Sequence, residues 1–387
     1  MNKIWIVYLL AFGCFVMATS EMVVAGILGM IAKDTNVSVG VAGQLVTVYA
    51  AVFAVASPLL LALASRMERK KLLLLSLLLF IVGNLIAFLT PNFSILLVSR
   101  VVLAASAGVF TVVALTVGSN LVTPERRGNA IGIIIMGFST ALVLGVPLGT
   151  LVGEYWNWRL VFMLIAILSI LAFIGIAAFV PRMDTKDTVS LKAQAAALKN
   201  KRMISGLLIT FFWIIGYQFV FTYISPFLQQ SAGLNTTMIS VALFICGIFA
   251  VVGSRIGGYG ADRWGTYRTL LFSIVLHAVA LILLPWVATS LVGALCMLAI
   301  WIGAAWTTTP AQQYYLVSLS PESAGLALGL NNSVLQLGIA VGAGVGGWVV
   351  SQTSYMHVSW FGALSIIFSL LAVLYSFSFT SSRVHSE

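Results

Sequence analysis

Displaced by 197 residues, the sequence meets itself again where backbone shape is most demanding. Pro124, Glu125, Gly128, Ala130, Gly132, Gly145 and Gly149 fall on Pro321, Glu322, Gly325, Ala327, Gly329, Gly342 and Gly346, and the same offset sets Arg66 on Arg263. Gly and Pro dominate these matches, and they specify backbone conformation rather than apolarity. One register serving two separate loops implies two similar halves. The expected organisation is 1–180, a linker at 181–203, and 204–387.

Composition says where such halves reside. The chain is 61% hydrophobic and 8% charged, against about 45–50% and about 25% in soluble domains. A bilayer helix takes ~20 apolar residues. Breaks marked by charge, Pro, Asn or Gly delimit twelve such spans, six per half: 4–30, 40–64, 71–90, 93–119, 129–153, 160–180, 204–229, 237–260, 269–287, 290–317, 325–350 and 357–379. The fold class expected is an all-α membrane protein of twelve transmembrane helices in two pseudo-symmetric six-helix bundles. Lys3, an apolar run and Ala18, Thr19 and Ser20 imitate a cleavable leader. Apolar sequence resumes at Met22, however, and removing the first span would break the match between halves, so it is retained.

Basic residues set the orientation. With the N-terminus inside, sixteen of the twenty Lys and Arg fall on the cytoplasmic side, only Lys33 and Arg159 fall outside, and Arg100 and Arg255 lie within spans. Both termini are therefore expected in the cytoplasm of a cell inner (plasma) membrane. The net charge of +10 reports topology and contact with anionic lipid, not nucleic-acid binding. The linker is expected to carry a short amphipathic helix lying on the membrane. Cys14, Cys246 and Cys296 all fall in spans, as small apolar side chains, and their spacing supports neither a disulfide framework nor a metal site. No phosphate-binding G-x-x-x-x-G-K-[ST], H-E-x-x-H or nucleophile elbow occurs. Enzymatic function, ATP-driven pumping and a bound cofactor are accordingly not expected.

The loop after the eighth span reads Gly258, Asp262, Arg263, Gly265, a G-x-x-x-D-R-x-G pattern. Here the chain resembles the major facilitator superfamily. The glycines suit close helix approach and a tight turn, and an acid beside an arginine at a helix end can latch neighbouring helices in one state and release them in another. The first-half copy departs from it: Leu61, Ser65 and Glu68 replace the first glycine, the acid and the second glycine, leaving Arg66, Arg69 and Lys70. Arg100, about seven residues into span four, resembles the intramembrane arginine of proton-coupled members. Gly137, Gly145, Pro147, Gly149 and Gly153 are similar to the glycine-proline run of the antiporter branches, with Val146 interrupting the Gly-Pro pair. Arg66, Gly145, Pro147, Gly258, Asp262 and Arg263 form the expected gating set.

Glu21 is the only acid within any span. A charge in hydrocarbon costs at least ~2.5–3.5 kcal/mol, so such an acid faces a cavity and has a task. Burial and a nearby arginine push a carboxyl in opposite directions, and movement between two such settings lets it take a proton on one side and lose it on the other. Arg100 and Glu21 both lie toward the outer face, and are expected to share a polar cluster as the proton-coupling pair. The offset maps Glu21 to the neutral Gln218, so coupling is expected in one half only. Gln44, Tyr49, Thr140, Trp213, Tyr217, Gln218, Trp301, Trp306, Asn332 and Gln336 make up an expected aromatic, hydrogen-bonding substrate pocket. His277, on the ninth span, is expected to be structural or lipid-facing.

The resemblance implies a monomeric drug:proton antiporter, its partners a small-molecule substrate, protons and lipid, working by alternating access. The stretch Glu21–Tyr49 and the run Pro310–Tyr314 resemble those of bacterial exporters of sugars, purines and other small metabolites. A proton-linked importer or facilitator would share every gross feature, and a non-transporting receptor would need neither the acid nor the repeat.

Overall fold

The computed structural model describes residues 4–64, 66–123, 126–183, 200–320 and 324–384. The Pro-Glu pairs at 124–125 and 321–322, Ser65, His385 and most of the linker, with its expected amphipathic helix, lie outside these residues. Among the described residues twelve helices are long and apolar enough to cross a membrane: α1 (Ile4–Asp34), α2 (Val39–Leu63), α3 (Arg69–Leu89), α4 (Phe93–Asn120), α5 (Arg127–Tyr155), α6 (Trp158–Phe179), α7 (Lys201–Phe221), α8 (Thr236–Arg263), α9 (Thr266–Val287), α10 (Leu291–Leu319), α11 (Ala324–Gln352) and α12 (Tyr355–Val384). Asn92, Asn157 and Asn235 start α4, α6 and α8 by accepting hydrogen bonds from the first exposed backbone N–H groups.

The chain divides into two compact units, Met1–Thr188 and Val189–Glu387. In the first, α1 packs on α4, α5 and α6, α2 on α4, and α3 on α4 and α6. In the second, α7 packs on α10, α11 and α12, α8 on α10, and α9 on α10 and α12. The scheme is the same with six added to each number.

Glycines fix the closest of these contacts. A Cβ at Gly137, Gly145, Gly149 or Gly153 on α5 would strike Ala11, Thr19, Val23 or Ile27 on α1. The constant difference of 126 between partners is that of two parallel helices in one register. In the second unit a Cβ at Gly338, Gly342 or Gly346 on α11 would strike residues of α7, among them Ile214 and Gln218, or Tyr223 just beyond its end. The repeated pairs Gly145/Gly342 and Gly149/Gly346 therefore preserve one close helix approach, the kind that membrane helices make with small residues.

Two departures from the expected spans have local causes. The seventh span was expected to run to 229, but α7 stops at Phe221 and a short helix, Ile224–Ala232, follows. Pro226 has no N–H to give the Thr222 carbonyl, and the Tyr223 N–H turns back to Val220 at 3.1 Å. Within α5, Ala141–Gly145 form a π-helical turn, with the Val146 N–H reaching the Ala141 carbonyl. Pro147 follows at once. Its missing N–H releases the Val143 carbonyl from α-helical pairing, and the wider turn absorbs the mismatch.

Candidate functional site

Arg100 lies in the first unit about 10 Å along α4 from the helix start and is fully buried. Nη1 and Nη2 both donate to the Ser20 carbonyl at 3.1 Å, and Nε donates to the Leu45 carbonyl at 3.4 Å. Its guanidinium carbon sits 4.8 Å from the centre of the Tyr49 ring. The side chain thus points into the bundle and does not snorkel to headgroups. Glu21 follows Ser20 directly, is half-buried, and lies within electrostatic reach of both Arg100 and Tyr49. Arg100 of α4 thus meets the Ser20 carbonyl of α1 in one polar cluster, with α2 contributing the aromatic face of Tyr49. Asn84 of α3 extends it: Ser20 Oγ donates to Asn84 Oδ1 at 3.4 Å, and Asn84 Nδ2 donates to the Phe80 carbonyl at 2.9 Å. Asn84 is not among the candidate residues legible in the sequence, although an asparagine deep in an apolar span is the available signal. Gln44, half-buried, precedes the Leu45 carbonyl in this cluster. Thr140 spends its hydroxyl on the Met136 carbonyl of its own helix, just before the π-helical turn.

The second unit holds the aromatic residues. Tyr217 stacks on Trp301 and on Phe221, each with ring centres 5.2 Å apart, and Trp306 lies beside its hydroxyl. Trp301, fully buried, donates its indole N–H to His277 Nε2 at 2.9 Å. His277 is itself fully buried and so faces no lipid. Gln218 donates to the Thr222 hydroxyl at 2.8 Å. Trp213 and Gln336 are buried, while Asn332 is half-buried. It is the neighbouring Asn331 that turns inward, accepting from the Thr210 hydroxyl at 2.6 Å. Under the 197-residue offset Glu21, Arg100 and Tyr49 become Gln218, Met297 and Cys246, so the second unit carries no charge at the equivalent positions.

Of the gating set, Gly145 and Pro147 lie inside α5 at its π-helical turn, and Arg66, Gly258, Asp262 and Arg263 lie toward helix ends. Gly265, with φ of 84°, begins α9 in a conformation that demands glycine. Gly258 faces open space, and the close approach expected of it is made by Gly257, where a Cβ would strike the Thr307 carbonyl of α10. Asp262, Arg263 and Arg66 are exposed. Glu68 precedes α3 with one carboxylate oxygen buried. Cys14 and Cys246 are buried, whereas Cys296 is exposed on its span. Among the described residues no group of three or more His, Cys, Asp or Glu is placed to hold a metal ion.

A sequence profile of the Major Facilitator Superfamily matches residues 10–343. The chain belongs to the major facilitator superfamily. It is a multi-pass membrane protein and a secondary transporter. It is 39% identical over 378 residues to the uncharacterised MFS-type transporter YbcL of Bacillus subtilis (strain 168), covering 98% of this chain and 97% of the other. It is 33% identical over 367 residues to the MFS-type transporter YtbD of the same organism, covering 92% and 91%. Among solved structures it resembles a bacterial homologue of the human lysosomal transporter Spinster. The inward-facing unoccupied form gives a TM-score of 0.74 at 18% identity, covering 97% of this chain and 95% of the other. The occupied form gives 0.76 at 16%, covering 99% and 97%. Identities this low speak for the fold alone.

Proposed function

We propose that this transporter exports small, largely aromatic organic solutes from the cytoplasm in exchange for protons. It would sit in the cell membrane with both termini inside, as its basic residues favour. One observation carries the reading: Glu21, among the described residues the one acid of a spanning helix that is not in its terminal turn, lies within electrostatic reach of an arginine whose own hydrogen bonds and ring contact go to neutral carbonyls and a tyrosine face.

A buried cation without a counter-charge is costly, and the carboxylate beside it supplies one. Proton binding to Glu21 cancels that pairing, so the conformation that best shields the neutral acid gains over the one that needs the ion pair. A ligand moves an equilibrium only by its differential affinity for the two states. The proton acts on Glu21 in that way, and a solute that favours ionised Glu21 drives the reverse shift. Alternating access then couples outward solute movement to inward proton movement. The glycine-packed α1–α5 contact and the π-helical turn beside it support movement in the same unit, because such turns are recurrent points of helix flexure. A single acid suits neutral, zwitterionic or monocationic solutes.

The test is flux into everted vesicles. A panel of aromatic amino acids, purines, sugars and cationic dyes is offered with and without an imposed proton gradient, to the parent and to Glu21→Gln. The parent is expected to accumulate at least one class only with the gradient, and the variant to lose accumulation while retaining exchange. Full gradient-driven accumulation by Glu21→Gln removes the acid from the mechanism. Accumulation only under the opposite gradient makes the protein an importer.

A further inference from the structure

The second unit contains a directional hydrogen-bond network, and two buried atoms beside it have no partner. Gln312 of α10 donates through Nε2 to the Gly206 carbonyl at 2.6 Å and to the Thr210 hydroxyl at 3.0 Å, and Thr210 donates on to Asn331 Oδ1 at 2.6 Å. The Gly206 carbonyl can only accept, which fixes Nε2 rather than Oε1 as the amide atom turned to it. That oxygen, Gln312 Oε1, is buried without a hydrogen-bond partner, and so is Trp213 Nε1, one turn beyond Thr210 on the same face of α7. Gln312 is 1% exposed and Trp213 5%. Native proteins satisfy nearly all such atoms, so an orphaned acceptor on the residue bonded to Thr210 and an orphaned donor one turn further along α7 call for a third party.

Packing gives no reason for the network, and the repeat supplies the control. Under the 197-residue offset Thr210, Trp213, Gln312 and Asn331 become Gly13, Val16, Leu115 and Ile134. The first unit brings α1, α4 and α5 together with no polar group at any of the four positions. Charge is absent as well: α7 beyond Arg202, α10 and α11 contain no Asp, Glu, Lys or Arg.

We propose that Gln312, Thr210, Asn331 and Trp213 form a subsite for an uncharged group of the transported solute that offers both a hydrogen-bond donor and an acceptor, a carboxamide or lactam. Its N–H meets Gln312 Oε1, and its carbonyl meets the Trp213 indole N–H. A carboxylate would leave Gln312 Oε1 facing an acceptor, and an ammonium would leave the indole N–H facing a donor, each in a site with no counter-charge. The inference rests on the transport reading only in that the group must arrive on a solute. It assigns neutral recognition to the second unit, apart from the proton chemistry of the first.

The experiment is ligand-observed saturation-transfer NMR on purified protein in nanodiscs, with empty nanodiscs as reference and no proton gradient. The probes are benzamide, benzoate and benzylamine, which share a ring and differ in the charge of one small substituent. Benzamide is expected to bind in preference to the other two, and Gln312→Leu and Trp213→Phe each to weaken it by about tenfold. The first variant installs the residue of the sister unit, and the second keeps an aromatic ring while deleting the N–H, so a packing role alone would leave binding intact. Circular-dichroism melting confirms that both variants are folded. No benzamide binding, equal binding of a charged probe, or parent-like benzamide binding by both folded variants overturns the proposal. Because binding is read without a gradient, failure of proton coupling in vesicles leaves this result standing, and failure here leaves proton coupling standing.

Discussion

Trp301 and His277 are joined by an indole-to-imidazole hydrogen bond of 2.9 Å between two fully buried rings. Nε2 is occupied as an acceptor, so the neutral ring carries its hydrogen on Nδ1. The bond orients Trp301, on which Tyr217 stacks. The first unit has Phe80 and Ala104 at the equivalent positions, which makes the pair a property of the second, aromatic unit. His277→Phe is expected to cost about 1–3 kcal/mol by stranding the indole N–H, and His277→Gln to recover part of that by restoring an acceptor. Thermal unfolding in detergent measures both. Gradient-driven flux is expected to survive in His277→Gln, and its loss there would make His277 a proton carrier.

The contact between Gly145 and Thr19 gives a second prediction. A Cβ on Gly145 would overlap the Thr19 side chain, so Gly145→Ala forces α5 away from α1 at an expected cost of about 1–3 kcal/mol. The second unit has Gly216 where the first has Thr19. Thr19→Gly in the Gly145→Ala background is therefore expected to recover stability, and a double-mutant cycle on unfolding midpoints should show coupling of opposite sign to the single loss. Additive losses would mean that α1 and α5 do not touch there.

The limits of the sequence follow from helix geometry. Apolar length and the charged, Pro, Asn or Gly breaks between runs locate twelve spans, because bilayer thickness leaves few alternatives, and Glu21 and Arg100 stand out because charge in hydrocarbon has to be explained. Choices between adjacent residues were harder. Neighbours on a helix point about 100° apart, so Asn332 was singled out where Asn331 faces inward, and Gly258 where Gly257 makes the close approach. Pattern could not resolve a one-residue rotation when both candidates had the same chemistry. The break after Phe221 and the π-helical turn were hidden for a related reason. Each depends on which carbonyl a proline deprives of its donor, and on how the chain accommodates the loss.

Pro147 can be tested on that ground. Its counterpart in the second unit is Gly344, within the uninterrupted helix α11. Pro147→Ala restores an N–H for the Val143 carbonyl and permits ordinary helical pairing through 141–147. Unfolding stability is expected to rise by about 1 kcal/mol, while transport turnover falls severalfold because the flexure beside Gly145 is lost. Vesicle flux and melting on the same preparation separate the two effects. A variant that is less stable yet transports at the parental rate would show that the wide turn has no part in movement.

At the far end of the first unit Arg159 makes three contacts at once. It is paired with Asp34 Oδ2 at 2.5 Å, donates through Nε to the Thr90 carbonyl at 3.1 Å, and lies 4.4 Å from the Trp158 ring centre. Trp158 also donates to Asp34, at 3.3 Å. Asp34 is 43% exposed against 21% for Arg159, so the ion pair is screened and worth less than about 1 kcal/mol. The carbonyl and ring contacts are less exposed to salt and add to it. Arg159→Ala is expected to lower stability by about 1.5–3 kcal/mol, more than Asp34→Asn. Raising the ionic strength should shrink the Asp34→Asn effect while leaving most of the Arg159→Ala effect in place. Melting curves of both variants at low and high salt decide it: equal losses that vanish together in salt would reduce Arg159 to its surface ion pair and leave Thr90 and Trp158 without a role in holding α6 to its neighbours.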